Sequence, residues 1–168
     1  MKASRPKLII PLTAMDIVVE IITFTLLLLL FIYTFQSYSD LSQSIPVHFN
    51  ASGVADAYGD KSSIWILPVL GLVLALGMLA LSRFPHIHNY MVNITEENAY
   101  KNYQFSSRIL RWFNLAVVIL FGFIQVTVIQ KGLGNDFSLG KWFVPLIVGS
   151  TLTLPIFIFI YSQKINKK

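Results

Sequence analysis

The side chains that could do chemistry in this sequence fall into two sets. The first is His48, Asp56 and Asp60, an imidazole and two carboxylates within one polar stretch. Such groups could hold a divalent cation or a basic peptide. The competing reading is structural, with His48 hydrogen-bonded inside its loop and Asp56 capping a turn. The second set is Asp16, Glu20, His86 and His88. Asp16 and Glu20 lie one helical turn apart on the same face, and His86-Ile87-His88 would put alternate imidazoles on one side of an extended chain. Together they could form a metal or proton-handling cluster. The plainer reading is an ion pair between Glu20 and Arg108 and Arg111, which share a helical face of their own. Cysteine is absent, which excludes disulfides, thiolate zinc sites and thiol nucleophiles. No Ser-His-Asp spacing, His-Glu-x-x-His motif or phosphate-binding glycine loop occurs. No cofactor is expected beyond a divalent metal at one of these two sets.

The elements that must position these residues follow from composition. Of 168 residues, 55% are hydrophobic and only 12% charged. A water-borne domain carries about a quarter charged residues, so the solvent here must be a bilayer. A spanning helix needs about 20 mostly apolar residues. Four segments qualify, 14–35, 64–82, 112–130 and 142–161, and Trp65, Trp112 and Trp142 stand at span boundaries as interfacial anchors. The expected fold is an all-α integral membrane protein: a four-transmembrane-helix bundle with a structured extracytoplasmic loop between helices 1 and 2. Thr13 and Asp16 form a capping box that starts the first helix at Ala14. That span is too long for a signal peptide's apolar core, and the bulky Phe35-Gln36-Ser37-Tyr38 offers no cleavage site. Thr95 caps a helix opened by Glu96 and Glu97, which continues through Ile129, so its first turns lie outside lipid. On that helix Asn114, Val118, Gly122 and Gln125 form an inward stripe. On the fourth, Gly149 and Thr153 form a small-residue pair for interhelical packing, and Pro155 predicts a kink.

Sidedness follows from the cations. Ten of the 13 Lys and Arg fall in the arm 1–13, the segment 83–111 and the tail 162–168; only Lys61, Lys131 and Lys141 fall in the loops 36–63 and 131–141. The positive-inside rule therefore places both termini and the segment 83–111 in the cytoplasm. The net charge of +5 is topological. No basic patch is interleaved with aromatics, so nucleic acid is not an expected partner, whereas anionic lipid is.

The loop 36–63 is longer than a passive link requires. Pro46 biases Ile45 toward extended backbone, Val47 and Phe49 alternate with His48 and Asn50, and a short strand is expected there. Asn50-Ala51-Ser52-Gly53 reads as a turn, and Tyr58-Gly59-Asp60-Lys61-Ser62-Ser63 as a second turn with N-cap candidates. Pro46, His48, Phe49, Asn50, Gly53, Asp56, Tyr58, Gly59 and Lys61 resemble the signature of a bacterial membrane family catalogued as a domain of unknown function, DUF1648, with SdpI-like immunity proteins among its relatives. Asn89-Tyr90, Ile94 to Ala99 and Tyr103 are similar to the family's segment after the second span, with Met91 where that pattern has proline. The resemblance implies an immunity-like or receptor role and marks the nine loop residues as ligand-binding candidates.

The leading expectation is thus a membrane receptor or immunity-like protein that recognises a peptide or membrane-active toxin through its outer loop. A small transporter or channel subunit, in a homo-oligomer, is the second reading. A membrane enzyme is the third, resting only on the two titratable sets named above.

Overall fold

The computed structural model describes residues 5–167; Lys2 and Lys168 of the charge count lie outside them. Four helices account for most of the chain: α1 (Ala14–Ser37), α2 (Ile66–Ser82), α3 (Glu96–Gly132) and α4 (Phe143–Asn166). All four are long and apolar enough, α2 with the short 3-10 helix that leads into it, to cross a membrane. At α1 the capping box forms as the sequence predicts, with Asp16 Oδ2 accepting from the Thr13 backbone N–H at 2.9 Å. At α3 the Asn98 side chain reaches back to the Thr95 N–H at 2.9 Å. Two donors that a helix start leaves without partners are satisfied in this way.

The chain is not all helix. The loop after α1 folds into an antiparallel hairpin of β1 (Ser44–Phe49) and β2 (Ala55–Asp60). The expected first strand and first turn are present, but residues 58–60, read from the sequence as a turn, belong to β2. The Ala-Asp-Ala-Tyr-Gly-Asp sequence of β2 has no apolar alternation to announce a strand. Its backbone is ordered by pairing with β1, which supplies the hydrogen-bond partners. Asp60 then caps a 3-10 helix, Lys61–Trp65, by accepting from the Ser62 N–H at 2.8 Å, and α2 continues from there.

α3 is the axis of the molecule and packs against both α1 and α2. Its inward stripe is where the sequence places it. Gln125 is fully buried and donates to Thr34 Oγ1 on α1 and to the Ile64 carbonyl ahead of α2, each at 2.9 Å. Asn114 donates to the Ala75 carbonyl on α2 at 3.1 Å. Where burying leucine gains little, these amide bonds and the close fit of Leu27, Ala75 and Val118 hold the three helices together. Gly122 adds no close contact.

α4 is different. No part of its most apolar stretch is buried, and it meets α3 at Phe123–Phe143, at Phe105–Tyr161 and at Asn102–Asn166. The expected pair of Gly149 and Thr153 does not pack against another helix. A Cβ at Gly149 would find nothing within 4 Å, and the Thr153 hydroxyl instead donates to the Gly149 carbonyl. α4 runs on through Pro155 as one helix.

Candidate functional site

The hairpin is seated on the ends of α1 and α3 rather than suspended from them. Leu41 and Ile45 enter a cluster with Ile64, Val128 and Ile129, all of them buried. Each aliphatic side chain moved from water into such a cluster contributes about 1.5–3 kcal/mol toward holding the hairpin in place. The turn is held as well. Asn50 Oδ1 accepts from the Ser52 and Val54 N–H groups at 2.9 and 3.2 Å, and the Gly53 carbonyl accepts from the Leu139 N–H at 3.0 Å. The loop between α3 and α4 therefore buttresses the hairpin tip.

This geometry divides the nine loop candidates. Pro46 is buried, and Phe49 packs against the cluster beneath the hairpin. Asn50 builds the turn. Gly53 has φ +75° and sits against the Gly140 backbone, and Gly59 faces the Val47 side chain. The Lys61 ammonium lies 4.9 Å from the Tyr38 ring centroid. These six residues have structural roles in the hairpin and its seat. His48, Asp56 and Tyr58 stay exposed, with Tyr58 at 59%. His48 Nδ1 meets Asp56 Oδ1 at 2.5 Å, a pairing across the two strands.

Asp60 does not join that pair. Its carboxylate is engaged by Ser62, whose side chain and backbone N–H hold its pKa below the usual aspartate range. Neither expected metal set assembles: among the described residues no three His, Asp or Glu side chains come together. In the second set His88 is engaged elsewhere. His88 contacts Ser106 Oγ at 3.1 Å and the Leu81 carbonyl at 3.0 Å.

At the end of the bundle opposite the hairpin, Asp16 and Glu20 are each matched with arginine. Glu20 accepts from Arg111 Nε at 2.7 Å and from Arg83 Nη2 at 2.9 Å. Arg108 reaches Asp16 at 3.4 Å. The expected Glu20–Arg111 pair is present, but Arg108 partners Asp16, and Arg83 takes the place given to it. Arg83 follows the last turn of α2, so one carboxylate from α1 ties together α2 and α3. The sequence signal for Arg83 was only its location on the same side of the membrane.

The segment 84–95 folds back over α3. The Tyr90 hydroxyl donates to the Pro85 carbonyl at 2.8 Å and bonds Ser106 Oγ at 2.6 Å. Burial of that phenol, above all, pushes its pKa up to about 12. The Arg5 guanidinium stacks 5.3 Å from the Tyr90 ring centroid and donates to the His88 carbonyl at 2.6 Å. The Tyr103 hydroxyl donates to the Pro6 carbonyl at 2.9 Å. The tyrosines of the second sequence signature therefore pin the N-terminal arm and the connecting segment onto α3. Between that segment, α3 and α4 lies an apolar cavity of about 510 Å³, with Tyr90, Phe105, Ile109 and Ile158 among its walls.

The second half of α1, the hairpin and the start of α2 form one continuous unit with a recognisable sequence. Residues 25–72 match the model of a family described as a domain of unknown function, DUF1648. The DUF1648 match thus coincides with the hairpin and the helices that enter and leave it. An archaeal protein described as uncharacterized, from Archaeoglobus fulgidus, is 23% identical over 145 residues, 78% of each chain. No solved structure matches the chain.

Proposed function

We propose that the protein is a receptor or immunity-like protein of the cytoplasmic membrane, with its termini inside and its DUF1648 hairpin outside, which recognises a peptide or membrane-active toxin. The distribution of Lys and Arg supports this orientation: the hairpin and the 131–141 loop carry only three of the 13. One observation carries the recognition role. β1 buries Ile45 and Pro46 against the helix ends, while Asp56, Ala57 and Tyr58 of β2 face outward and β2 has β1 as its single neighbour. The outer edge of β2 is a template to which an extended peptide can add as a third strand. Val47, Val54 and Tyr58, each at least half exposed, offer it apolar contact. Three aspartates against one lysine in this loop favour a basic peptide.

The test is protection. Cells expressing the wild-type chain are challenged with a panel of membrane-active cationic peptides, beside cells expressing a triple variant, His48→Ala, Asp56→Ala and Tyr58→Ala. These three side chains are exposed, so the variant should reach the membrane at the wild-type level. Its protection should fall at least tenfold in inhibitory concentration, as expected when about 1.4 kcal/mol of contact is lost. Full protection by the variant, or none by the wild type, would overturn the proposal.

A further inference from the structure

A second cavity, of about 320 Å³, opens at the end of the bundle opposite the hairpin. Its walls come from three elements: the arm with Lys7, the region after α2 with Arg83 and His86, and α3 with Ser107 and Arg111. Three features of these walls do not belong to the helix-tying role of Glu20.

The first is charge. Lys7, Arg83 and Arg111 line the cavity, and among the described residues Glu20 is the one carboxylate that touches any of them. The neighbouring Asp16 is already matched by Arg108, so two positive charges are left over. The second is donor capacity. A guanidinium has five N–H donors. Arg111 gives Glu20 only its Nε, and Arg83 only one Nη, which leaves most of both forks unengaged among the described residues. The third is Ser107. It is 1% exposed, and its Oγ has no hydrogen-bond partner. The buried hydroxyls of Thr23, Thr34 and Thr127 each donate to a carbonyl four residues back, that of Val19, Leu30 and Phe123 respectively. Ser106 takes the Tyr103 carbonyl. A buried polar group left without a partner costs about 1–3 kcal/mol, so the hydroxyl is expected to have one in the working protein.

A cavity with surplus positive charge, two partly used guanidinium forks and an unpaired buried hydroxyl is complementary to a tetrahedral oxyanion. We propose that this cavity binds a phosphate group, with the Arg83 and Arg111 forks and the Ser107 hydroxyl donating to its oxygens and Lys7 closing the rim. The phosphate is either that of an anionic lipid headgroup at the membrane surface or free phosphate from solution. This site is independent of the hairpin and of the receptor reading.

The experiment uses the full chain in detergent, purified as wild type, Ser107→Ala and Lys7→Gln. Ser107→Ala removes a buried hydroxyl that bonds nothing and Lys7→Gln alters an exposed arm residue, so neither variant should melt below the wild type without ligand. Two probes are then titrated: inorganic phosphate, and phosphatidylglycerol against phosphatidylcholine, followed by thermal stability and by native mass spectrometry. Retention and stabilisation by phosphatidylglycerol over phosphatidylcholine identify a lipid headgroup; stabilisation by inorganic phosphate identifies the free ion. For the active probe, binding should weaken about tenfold in each variant, the size expected for one charge-assisted hydrogen bond. The proposal is overturned if neither probe stabilises the wild type, or if both variants respond as the wild type does.

Discussion

Gly53 meets two constraints at once, and they can be separated by substitution. Its φ of +75° costs a residue with a side chain about 1–2 kcal/mol wherever it occurs. In addition, a Cβ there would stand 2.6 Å from the Gly140 nitrogen, so the 131–141 loop would have to move. Gly134 has a similar φ of +86° with open space around it. Gly134→Ala should therefore lower stability by about 1 kcal/mol, and Gly53→Ala by at least twice that, with faster protease nicking at the hairpin tip. Thermal unfolding and limited proteolysis in detergent measure both effects; equal losses for the two variants would refute the contact with Gly140. The sequence Asn-Ala-Ser-Gly announces the turn because Asn50 and Gly53 are the residue types a turn needs. The approach of Gly140, from a distant part of the chain, leaves no local signature.

At the scale of elements, Glu20 joins three helices through two unequal arginines. The Arg111 side chain is 6% exposed and that of Arg83 41% exposed. Glu20→Gln leaves Arg111 as a buried charge without its partner and should destabilise the protein by about 3–5 kcal/mol. Arg83→Gln removes a partly solvated partner and should cost under about 1 kcal/mol. Combining Glu20→Gln with Arg111→Met should recover part of the larger loss, because no orphaned charge is then left in the interior. Denaturant unfolding of the four proteins checks the order, and a Glu20→Gln variant as stable as Arg83→Gln would contradict it. From the sequence, the charge count confined the partners of Glu20 to one side of the membrane. Choosing among the arginines there depends on the rotation of each helix about its own axis, which only packing against neighbours decides.

At the scale of the whole molecule, the cooperative unit is α1, the hairpin, α2 and α3, with α4 attached at its edge. A chain ended after Lys141 keeps Leu139 and Gly140 under the hairpin and loses only the few α3–α4 contacts. It should still insert, keep the hairpin resistant to protease, and melt within a few degrees of the full chain, since contacts absent from the core shift stability little. Collapse of hairpin protection in that truncated chain would make α4 an integral part of the core.

The four apolar runs, the helix caps, the first strand with its turn and the asymmetry of basic residues were all legible in the sequence. Each is set by residues close along the chain or by transfer between water and lipid, which composition alone reports. Tertiary structure decided the rest. It paired the polar β2 with β1, assigned six signature residues to the seat of the hairpin and left three exposed, and kept both titratable sets from assembling as metal sites. It also matched Arg83 and Arg111 to Glu20 and left Ser107 facing a basic cavity. Those outcomes depend on which surfaces meet, and contacts between residues far apart in sequence carry no periodicity or spacing from which they could be read.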